Sequence, residues 1–276
     1  MSSDAVACRV FDTGHCLATE AHVIRGGRWS RIECHNLVAA LYHPVRGWGL
    51  FDAGYSRHLF DATARLPWRV YRWATPLRLD RSLEAVVQLA AMGVKPDEVR
   101  WIVVSHFHAD HVAGLRDFPM AELFAAEAAI ADVTSRRGLS ALQRGYMPAL
   151  LPDDFASRVR PIEAIAGPEL GPLGRGHDLF GDERFVAVAL PGHARGQIGL
   201  LAQTDRGERL FVADACWQSR GIREQRVPHP ITHLFVDEPK VVRATLAHLK
   251  AFTDDRPEVV LVPTHCPEAL TREVGP

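Results

Sequence analysis

The segment Ser105-His106-Phe107-His108-Ala109-Asp110-His111 places three histidines and one aspartate within six residues. It directly follows Trp101-Ile102-Val103-Val104, an apolar run with adjacent valines that favours a short buried strand over a helical turn. The loops that leave the carboxyl ends of such strands carry the chemistry of α/β folds. Four ionisable side chains packed this closely repel and crowd one another unless a cation lies between them. The segment therefore indicates a metal centre rather than ordinary surface histidines.

The donor atoms of this segment narrow the choice of metal. Imidazole nitrogens and a carboxylate oxygen suit zinc, and also manganese or iron. The segment contains no cysteine, which closed structural zinc sites commonly use. The pattern therefore predicts an open centre that activates water for hydrolysis.

Further motifs follow apolar, strand-like runs later in the chain. They are Gly192-His193, Asp214 after Leu210-Phe211-Val212-Ala213, and His265 after Val262-Pro263-Thr264. A fainter motif, Leu50-Phe51-Asp52-Ala53-Gly54, precedes the histidine segment. Together these motifs resemble those of the metallo-β-lactamase superfamily, from His106 to His265.

The resemblance implies an α/β fold, the four-layer αβ/βα sandwich of that family, with two divalent metal ions. Zinc is expected first, with Mn²⁺ or Fe²⁺ as alternatives. By matching position, the implied ligands are His106, His108 and His193 for one ion and Asp110, His111 and His265 for the other, with Asp214 bridging both. A hydroxide shared by the ions is then the nucleophile, and Asp110 shuttles a proton to the leaving group. Asp52 is expected beside the centre without ligating a metal, and a turn-capping aspartate is the alternative.

Length, composition and charge restrict the class of protein. At 276 residues with 47% hydrophobic content, the chain can bury a sizeable core, and we predict a single domain over residues 1–276. A net charge of −1 offers no basic field for nucleic acid. No apolar run approaches a membrane span, and residues 1–9 lack the pattern of a secretory signal. Because the five scattered cysteines also fit reduced thiols, we expect a cytoplasmic protein without a membrane partner, not an exported β-lactamase.

The substrate prediction depends on a finer resemblance. The motif Asp110-His111-Val112-Ala113-Gly114 most resembles that of lactonase-like hydrolases that open acylated homoserine lactones, so we predict cleavage of a small-molecule ester, lactone or thioester. Those enzymes usually carry a tyrosine shortly after the bridging aspartate. Here Trp217 stands at that place, and an indole has no phenolic proton to donate.

Two other functions stay open at this point. One is a phosphodiesterase or RNA-processing hydrolase, and the other is a non-catalytic, metal-containing protein that binds a ligand. The oligomeric state also stays open, with a homodimer as one option.

Several side chains near the predicted centre allow two interpretations. The segment after Trp217 contains three arginines, Arg220, Arg223 and Arg226. These arginines either anchor a carboxylate or the phosphates of a coenzyme A thioester, or belong to a solvated loop. Cys216 either faces the metals or is a structural thiol, whereas strand alternation turns Cys266 away from His265. Segment 67–73, which mixes aromatic and basic residues, either lines the substrate entrance or packs its rings inward.

Periodicity predicts the elements that carry these motifs. Apolar runs predict strands over residues 6–11, 34–42, 48–51, 101–104, 184–190, 198–202, 209–213 and 259–262. Helical spacing or alanine-rich composition predicts helices over residues 81–92, 122–133 and 241–252. The first helix is expected to be capped by Asp80 or Ser82 and ended by Gly93. Residues 135–181, which contain many glycines and prolines, are expected to form a loop-rich excursion over the site.

Overall fold

The computed structural model describes residues 6–234 and 236–275. Residues 1–5, 235 and 276 lie outside the described residues. The prediction that residues 1–9 are not a secretory signal therefore falls partly outside them. Within the described ranges, the strands are β1 (Ala7–Thr19), β2 (Arg31–His43), β3 (Gly47–Phe51), β4 (Leu77–Arg78), β5 (Val99–Val103), β6 (Glu122–Ala125), β7 (Val159–Pro161), β8 (His177–Asp178), β9 (Phe185–Ala189), β10 (Ile198–Thr204), β11 (Gly207–Ala213) and β12 (Val260–Pro263).

Helices connect and cover these strands. They are α1 (Glu20–Val23), α2 (His58–Ala62), α3 (Arg69–Ala74), α4 (Ala85–Ala91), α5 (Ala109–Val112), α6 (Glu127–Ser135), α7 (Gly138–Gln143), α8 (Phe155–Arg158), α9 (Ser219–Arg223), α10 (Pro239–Asp255) and α11 (Pro267–Glu273). Short 3₁₀ helices cover Arg81–Leu83, Pro96–Glu98, Leu115–Asp117, Pro148–Leu150, Ile162–Ala164, Gly171–Leu173 and Pro230–Leu234. Within the described ranges, no helix combines the length and the apolar character needed to cross a lipid bilayer.

The first sheet contains the N-terminal strands in the order β4-β1-β2-β3-β5-β6-β7. The pairs β4–β1, β1–β2 and β2–β3 are antiparallel. The pairs β3–β5, β5–β6 and β6–β7 are parallel. Because β3 and β5 run in the same direction, their carboxyl ends meet at one edge of the sheet. Asp52 leaves the first end, and Ser105 and His106 follow the second.

The second sheet contains the C-terminal strands in the order β12-β11-β10-β9-β8. Strands β8 to β11 pair antiparallel with their neighbours, and β11 and β12 pair parallel. Strands β9, β11 and β12 therefore run in the same direction. Their carboxyl ends lead to His193, Asp214 and His265, so three separated motifs reach the same edge.

The two sheets pack face to face, and helices cover their outer sides. The rings of Phe51 in β3 and Phe211 in β11 lie 5.6 Å apart between centroids. Leu210 and Val212, on either side of Phe211 in β11, point away from the first sheet because side chains alternate along a strand. On that outer face they share a buried cluster with Leu246 of α10. Helices α4 and α6 bury apolar residues in the cluster of the first sheet. This arrangement is the predicted four-layer αβ/βα sandwich.

The predicted helix over residues 122–133 is wrong in its first turn. Residues 122–125 form β6, and α6 begins only at Glu127. Leu123 and Phe124 pair with Ile102 and Val103 of β5, so sheet hydrogen bonds and burial outweigh the helix propensity of the alanine-rich sequence.

The predicted helix over residues 81–92 is divided into two parts. Asp80 accepts a hydrogen bond from the Ser82 backbone N–H at 2.8 Å, which confirms the predicted cap. The cap starts only a 3₁₀ turn, because Glu84 is extended, with ψ of 135°. The Glu84 carboxylate is buried and accepts a hydrogen bond from Ser56, and α4 follows it. Gly93 ends this region with a φ of +83°.

Candidate metal centre

The structure brings all seven predicted ligand side chains to one place between the two sheets. His106 and His108 lie on the loop after β5, and Asp110 and His111 lie in α5, which begins directly behind them. The second sheet supplies His193, Asp214 and His265 from the ends of β9, β11 and β12. Each side chain therefore depends on a strand end for its position, as the apolar runs before each motif predict.

The donor atoms form two groups. The first group consists of His106, His108, His193 and Asp214, with one donor atom from each residue, all within 4.8 Å of one another. The second group consists of Asp110, His111 and His265, with donor atoms that meet the same limit. The division is the one that the resemblance to metallo-β-lactamases implies.

Asp214 lies between the two groups. Its Oδ2 atom is 3.2 Å from Nε2 of His193 in the first group. Its Oδ1 atom is 3.3 Å from Nε2 of His111 and 3.2 Å from Nε2 of His265 in the second group. One carboxylate thus faces both groups, which is the placement expected of a ligand shared by two cations.

Several donor atoms are buried without a partner. Among the described residues, none hydrogen bonds to Nε2 of His106, Nε2 of His111 or Oδ1 of Asp214, and each of these atoms is inaccessible to solvent. A buried polar atom without a partner costs about 1–3 kcal/mol, so such atoms seldom cluster by chance. These atoms belong to both groups and point toward the same space, so the donor set fits a pair of divalent cations.

Electrostatics differ between the two groups. Burial lowers the pKa of His106 well below its usual range and that of His108 to about 3, and neighbouring imidazoles add to the effect. These rings are therefore neutral, with a lone pair available for a cation. Burial alone would also lower the pKa of His111, but Asp110, Asp52 and Asp214 together raise it well above its usual range. Three carboxylates therefore act on His111, whereas neighbouring imidazoles act on His106 and His108.

Asp52 holds His111 in its orientation. Its Oδ2 atom accepts a hydrogen bond from Nδ1–H of His111 at 2.7 Å, which turns Nε2 of the ring toward the centre. The same carboxylate accepts hydrogen bonds from the backbone N–H of Ser105 at 2.7 Å and from its hydroxyl at 2.8 Å. Asp52 therefore fixes both ends of the histidine segment, and its predicted place beside the centre is confirmed.

Backbone hydrogen bonds connect α5 and the residues after it to the loop that carries Asp52. The backbone N–H of Ala53 donates to the carbonyl of His111 at 2.8 Å, and the N–H of Gly114 donates to the carbonyl of Gly54 at 3.2 Å. A Cβ atom on Gly114 would lie 2.4 Å from the carbonyl oxygen of Ala53, so this position requires glycine.

Residues outside the predicted set also contact the centre. Nδ1–H of His265 donates to the backbone carbonyl of His35 at 2.6 Å. The side-chain amide of Asn36 lies 3.5 Å from Oδ2 of Asp110, while its oxygen accepts a hydrogen bond from Thr13 at 2.9 Å. These contacts are not evident from the sequence. The one signal is a polar residue, Asn36, directly before the apolar run Leu37-Val38-Ala39-Ala40-Leu41 of β2.

Trp217 contacts the centre through its indole. Its Nε1–H donates to Oδ2 of Asp214 at 2.8 Å, and its ring lies 5.6 Å from that of His193 between centroids. Trp217 stands where lactonase-like hydrolases usually carry a tyrosine, and it donates a hydrogen bond to the carboxylate of Asp214.

The two cysteines next to ligand residues are structural thiols. Burial raises the pKa of Cys216 to about 12, and its Sγ–H donates to the backbone carbonyl of Gln218 at 2.8 Å. Cys266 is fully buried and accepts a hydrogen bond from the backbone N–H of Ser219 at 3.2 Å.

The three arginines that follow Trp217 donate hydrogen bonds to carboxylates or backbone carbonyls of the same chain. Arg220 donates to Glu20 at 2.6 Å, and Arg223 forms a bidentate pair with Glu268 at 2.8 and 2.9 Å. Arg226 donates to Glu224 and to the backbone carbonyl of Arg25. These contacts favour a structural role over the anchoring of a substrate anion.

Segments 67–73 and 135–181 both approach the centre. In α3, Tyr71 is packed against the core, and burial together with the charge of Asp110 raises the pKa of its phenol well above the usual range. Trp73 in the same helix is 65% exposed, so segment 67–73 packs only part of its rings inward. In the second segment, a Cβ atom on Gly145 would lie 3.0 Å from the ring of His108, so this part lies over the site as expected. The prediction is wrong for residues 159–161 and 177–178, which join the two sheets as β7 and β8.

Two groups of ligand side chains that share one carboxylate, at the meeting edge of two sheets with helices outside, define an α/β sandwich with a candidate dinuclear metal centre. Residues 47–265 match the family model of the Metallo-beta-lactamase superfamily. The chain therefore belongs to the metallo-beta-lactamase superfamily.

Curated relatives include the N-acyl homoserine lactonase AttM of Azorhizobium caulinodans. It is 28% identical over 150 residues, which are 52% of this chain and 51% of the relative. The metallo-hydrolase mfmC of Annulohypoxylon moriforme is 31% identical over 136 residues, which are 46% of this chain and 33% of the relative. The chain thus spans about half the length of the AttM relative, and less of mfmC.

Solved structures of similar fold cover nearly the whole chain. An N-acyl homoserine lactone hydrolase with the product N-hexanoyl-L-homoserine at its catalytic metal centre has a TM-score of 0.73 and 16% identity, and covers 97% of this chain and 96% of its own. The dizinc quorum-quenching lactonase AidC has a TM-score of 0.63 and 14% identity, with 96% and 92% coverage. At these identities the similarity establishes the fold.

Proposed function

We propose that this protein is a dinuclear metal-dependent hydrolase that cleaves a small ester, lactone or thioester, with an N-acyl homoserine lactone as the first substrate to test. The observation that carries the proposal is the placement of Asp214 between two complete groups of donor atoms. The lactonase AttM, which aligns with half of this chain, supports the choice of substrate.

The residues that would hold the two ions are those implied by the family. His106, His108 and His193 would hold one, Asp110, His111 and His265 the other, and Asp214 both. Zinc is the ion that we propose, and Mn²⁺ or Fe²⁺ would suit the same donors. Divalent ions at such a site lower the pKa of bound water toward neutrality and polarise a carbonyl oxygen.

The side chains of this protein have separate tasks in that reaction. Asp52 keeps Nε2 of His111 directed at the centre through the hydrogen bond to Nδ1. Burial opposes ionisation of Asp110, but His111 and His265 lower its pKa to about 2, so it is a carboxylate at neutral pH. Asp110 can therefore accept a proton and return it to the leaving group of the substrate. The indole of Trp217 keeps Asp214 in place instead of supplying a proton to the substrate.

We also propose a cytoplasmic location and a small-molecule substrate, without a nucleic-acid or membrane partner. All five cysteines, each within the described ranges, are free thiols, which supports a reducing compartment. The net charge of −1 supports a substrate other than a polyanion. The proposal leaves the oligomeric state open.

A substrate panel tests the proposed activity. Zinc-loaded protein is incubated with N-hexanoyl homoserine lactone, a p-nitrophenyl ester, an acyl-coenzyme A thioester and bis-p-nitrophenyl phosphate, and kcat/KM is measured for each. We expect carboxylic ester, lactone or thioester cleavage, and a loss of about a thousandfold or more in His108→Ala. His177→Ala is the matched control, because the His177 side chain belongs to neither donor group and donates to the backbone carbonyl of Ile165. Turnover of the phosphodiester alone, absence of turnover, or full activity of His108→Ala would contradict the proposal.

A further inference from the structure

A second cluster of histidine and carboxylate side chains lies outside the catalytic centre, on the hairpin of β1 and β2. It consists of His15, Glu33 and His35, and one donor atom from each residue lies within 4.8 Å of the others. His15 and His35 are about one-fifth exposed at their side chains, and Glu33 is 57% exposed. The cluster is therefore accessible to ions from solution.

The strand pairing places these three side chains on one face. His15 lies opposite His35 in the antiparallel pair, and Glu33 is two residues before His35 on the same strand. Residues two apart on a strand point to the same side, so all three side chains converge. The neighbouring pair, Cys16 and Cys34, points to the other face of the hairpin.

A β-bulge adds a fourth side chain to this face. The register shifts between Asp12 and His15, where three steps along β1 correspond to two along β2. The extra residue reverses the alternation, so Asp12 points to the same side as His15 and His35. Gly14 in the bulge has a φ of +120°, and its N–H donates to Oδ1 of Asp12 at 3.1 Å.

Asp12 orients the ring of His35 through a hydrogen bond. Its Oδ2 atom accepts a hydrogen bond from Nδ1–H of His35 at 2.7 Å, so Nε2 is left to face Glu33. A carboxylate behind the remote nitrogen is the usual arrangement around metal-binding histidines, where it fixes the ring and strengthens its basicity. Asp52 and His111 show the same arrangement in the catalytic centre.

The distances suit a small cation between the rings. Oε1 of Glu33 is 3.5 Å from Nε2 of His15, and Oε2 of Glu33 is 3.5 Å from Nε2 of His35. Two ligands bound at about 2.0–2.1 Å to a tetrahedral zinc ion are separated by roughly 3.3–3.4 Å. The donors therefore need only small movements to close on an ion.

We propose that His15, Glu33 and His35 form a third metal site, which binds a divalent transition-metal ion such as Zn²⁺ and leaves one coordination position open to solvent. Two imidazoles and one carboxylate favour such ions over Ca²⁺ and Mg²⁺, which prefer oxygen donors. The site is separate from the catalytic centre, yet it borders on it, because the backbone carbonyl of His35 accepts the hydrogen bond from His265.

Metal counting on the full-length protein tests this site. Protein saturated with zinc is equilibrated with free Zn²⁺ at about pH 8, where imidazole is neutral. Bound zinc is measured by elemental analysis and by calorimetric titration, for the wild type and for the variants Glu33→Gln and His15→Asn. The control is His58→Asn, which alters a histidine that pairs with the single carboxylate of Asp117. Glu33 and His15 are not ligands of the catalytic centre, so hydrolytic activity can be followed separately.

At a free Zn²⁺ concentration just high enough to fill the site in the wild type, we expect the wild type and His58→Asn to bind up to one more equivalent of zinc than Glu33→Gln and His15→Asn. We also expect the affinity for that equivalent to fall at least about tenfold in the two variants. The result is a difference in bound zinc between proteins, so it is independent of the total bound at the catalytic centre. Equal stoichiometry and affinity in the wild type, Glu33→Gln and His15→Asn would overturn the proposal and leave the cluster as histidine–carboxylate ion pairs.

Discussion

Asp52 belongs to neither group of donor atoms, yet three of its hydrogen bonds determine where the histidine segment lies. We expect Asp52→Asn to lower metal affinity by about 10–100-fold, because an amide cannot orient His111 as an ionised carboxylate does. The measurement is a zinc competition titration against a chromophoric chelator. Asp178→Asn is the control, since Asp178 is a buried carboxylate that caps a turn away from the centre. Wild-type affinity in Asp52→Asn would show that the carboxylate has no orienting role.

Trp217 offers a second test at the level of one side chain. Trp217→Phe keeps an aromatic ring but removes the hydrogen bond to Oδ2 of Asp214. A hydrogen bond to an ionised group contributes about 1.5–3 kcal/mol, so we expect kcat/KM to fall about tenfold or more while bound metal stays constant. Steady-state kinetics and elemental analysis check the two parts of this prediction. Trp29→Phe, at a position 75% exposed, should change neither.

The sequence predicted which side chains meet at the candidate centre, but it did not predict the residues that surround them. His106, Asp214 and the other ligands were predictable because their side chains are chemically distinctive and each follows an apolar run. Their assignment as metal ligands stays a prediction until an ion is measured. The contact between His265 and the carbonyl of His35 was not predictable, since a backbone acceptor leaves no signature in the residue types.

At the level of elements, α5 and Gly114 directly after it pack against the loop at residues 52–54. We expect Gly114→Ala to destabilise the protein by about 1–3 kcal/mol, because its methyl group would overlap the carbonyl of Ala53. Metal affinity should fall as well, since the same loop carries Asp52. Urea denaturation and zinc titration measure these effects.

Gly93→Ala is the matched control for that change. Gly93 has a φ of +83°, and nothing lies within 4 Å of a Cβ atom placed there. The control therefore introduces backbone strain without a clash, and it should lower stability with no effect on metal affinity. Equal losses of metal affinity in the two variants would contradict the role given to the α5 contact.

Element predictions succeeded where burial and periodicity agreed. Helix α10 was predicted over residues 241–252, and its apolar stripe is buried in the structure, as the 3.6-residue spacing requires. The prediction for residues 122–133 failed because local propensity competed with a sheet partner that is close only in the folded chain. Ile102 pairs with Leu123, and that contact cannot be read from the alanine-rich sequence.

For the molecule as a whole, Glu20 links segments that are 200 residues apart. Its carboxylate accepts hydrogen bonds from the backbone N–H of Arg28 and from Arg220, and these partners lower its pKa from the ordinary value of 4.5 to about 2. Since the folded pKa is the lower one, the stabilisation is complete above pH 4.5 and is lost as the pH falls toward 2.

We therefore expect Glu20→Gln to lower the free energy of unfolding by about 1–2 kcal/mol at pH 7. The difference between variant and wild type should shrink as the pH falls below about 4.5. Urea denaturation at a series of pH values measures it. Glu169→Gln, which alters an ion pair with Arg175 that is exposed at both side chains, should have little effect at any pH. A difference that persists undiminished toward pH 2 would contradict the role of the Glu20 charge.

The four-layer architecture followed from the motif set and is confirmed, whereas the single domain over residues 1–276 stays a prediction. The substrate could not be derived from the sequence, because the segments that border the centre, such as α3, are placed there by tertiary packing. Tyr71 lies close enough to Asp110 for that charge to raise its pKa, although the two residues are 39 positions apart in the sequence. No local sequence pattern predicts this proximity.

The ligands come from both sheets, and this has a consequence for synthesis of the protein. A nascent chain exposes His106 to His111 long before Asp214 and His265 leave the ribosome. At that stage no carboxylate joins the two groups of donors, so ions captured early would be held by an incomplete set. If the two groups hold metal ions as proposed, both ions can be bound in full only after β11 and β12 have joined the second sheet, and the early histidine segment by itself should bind metal more weakly.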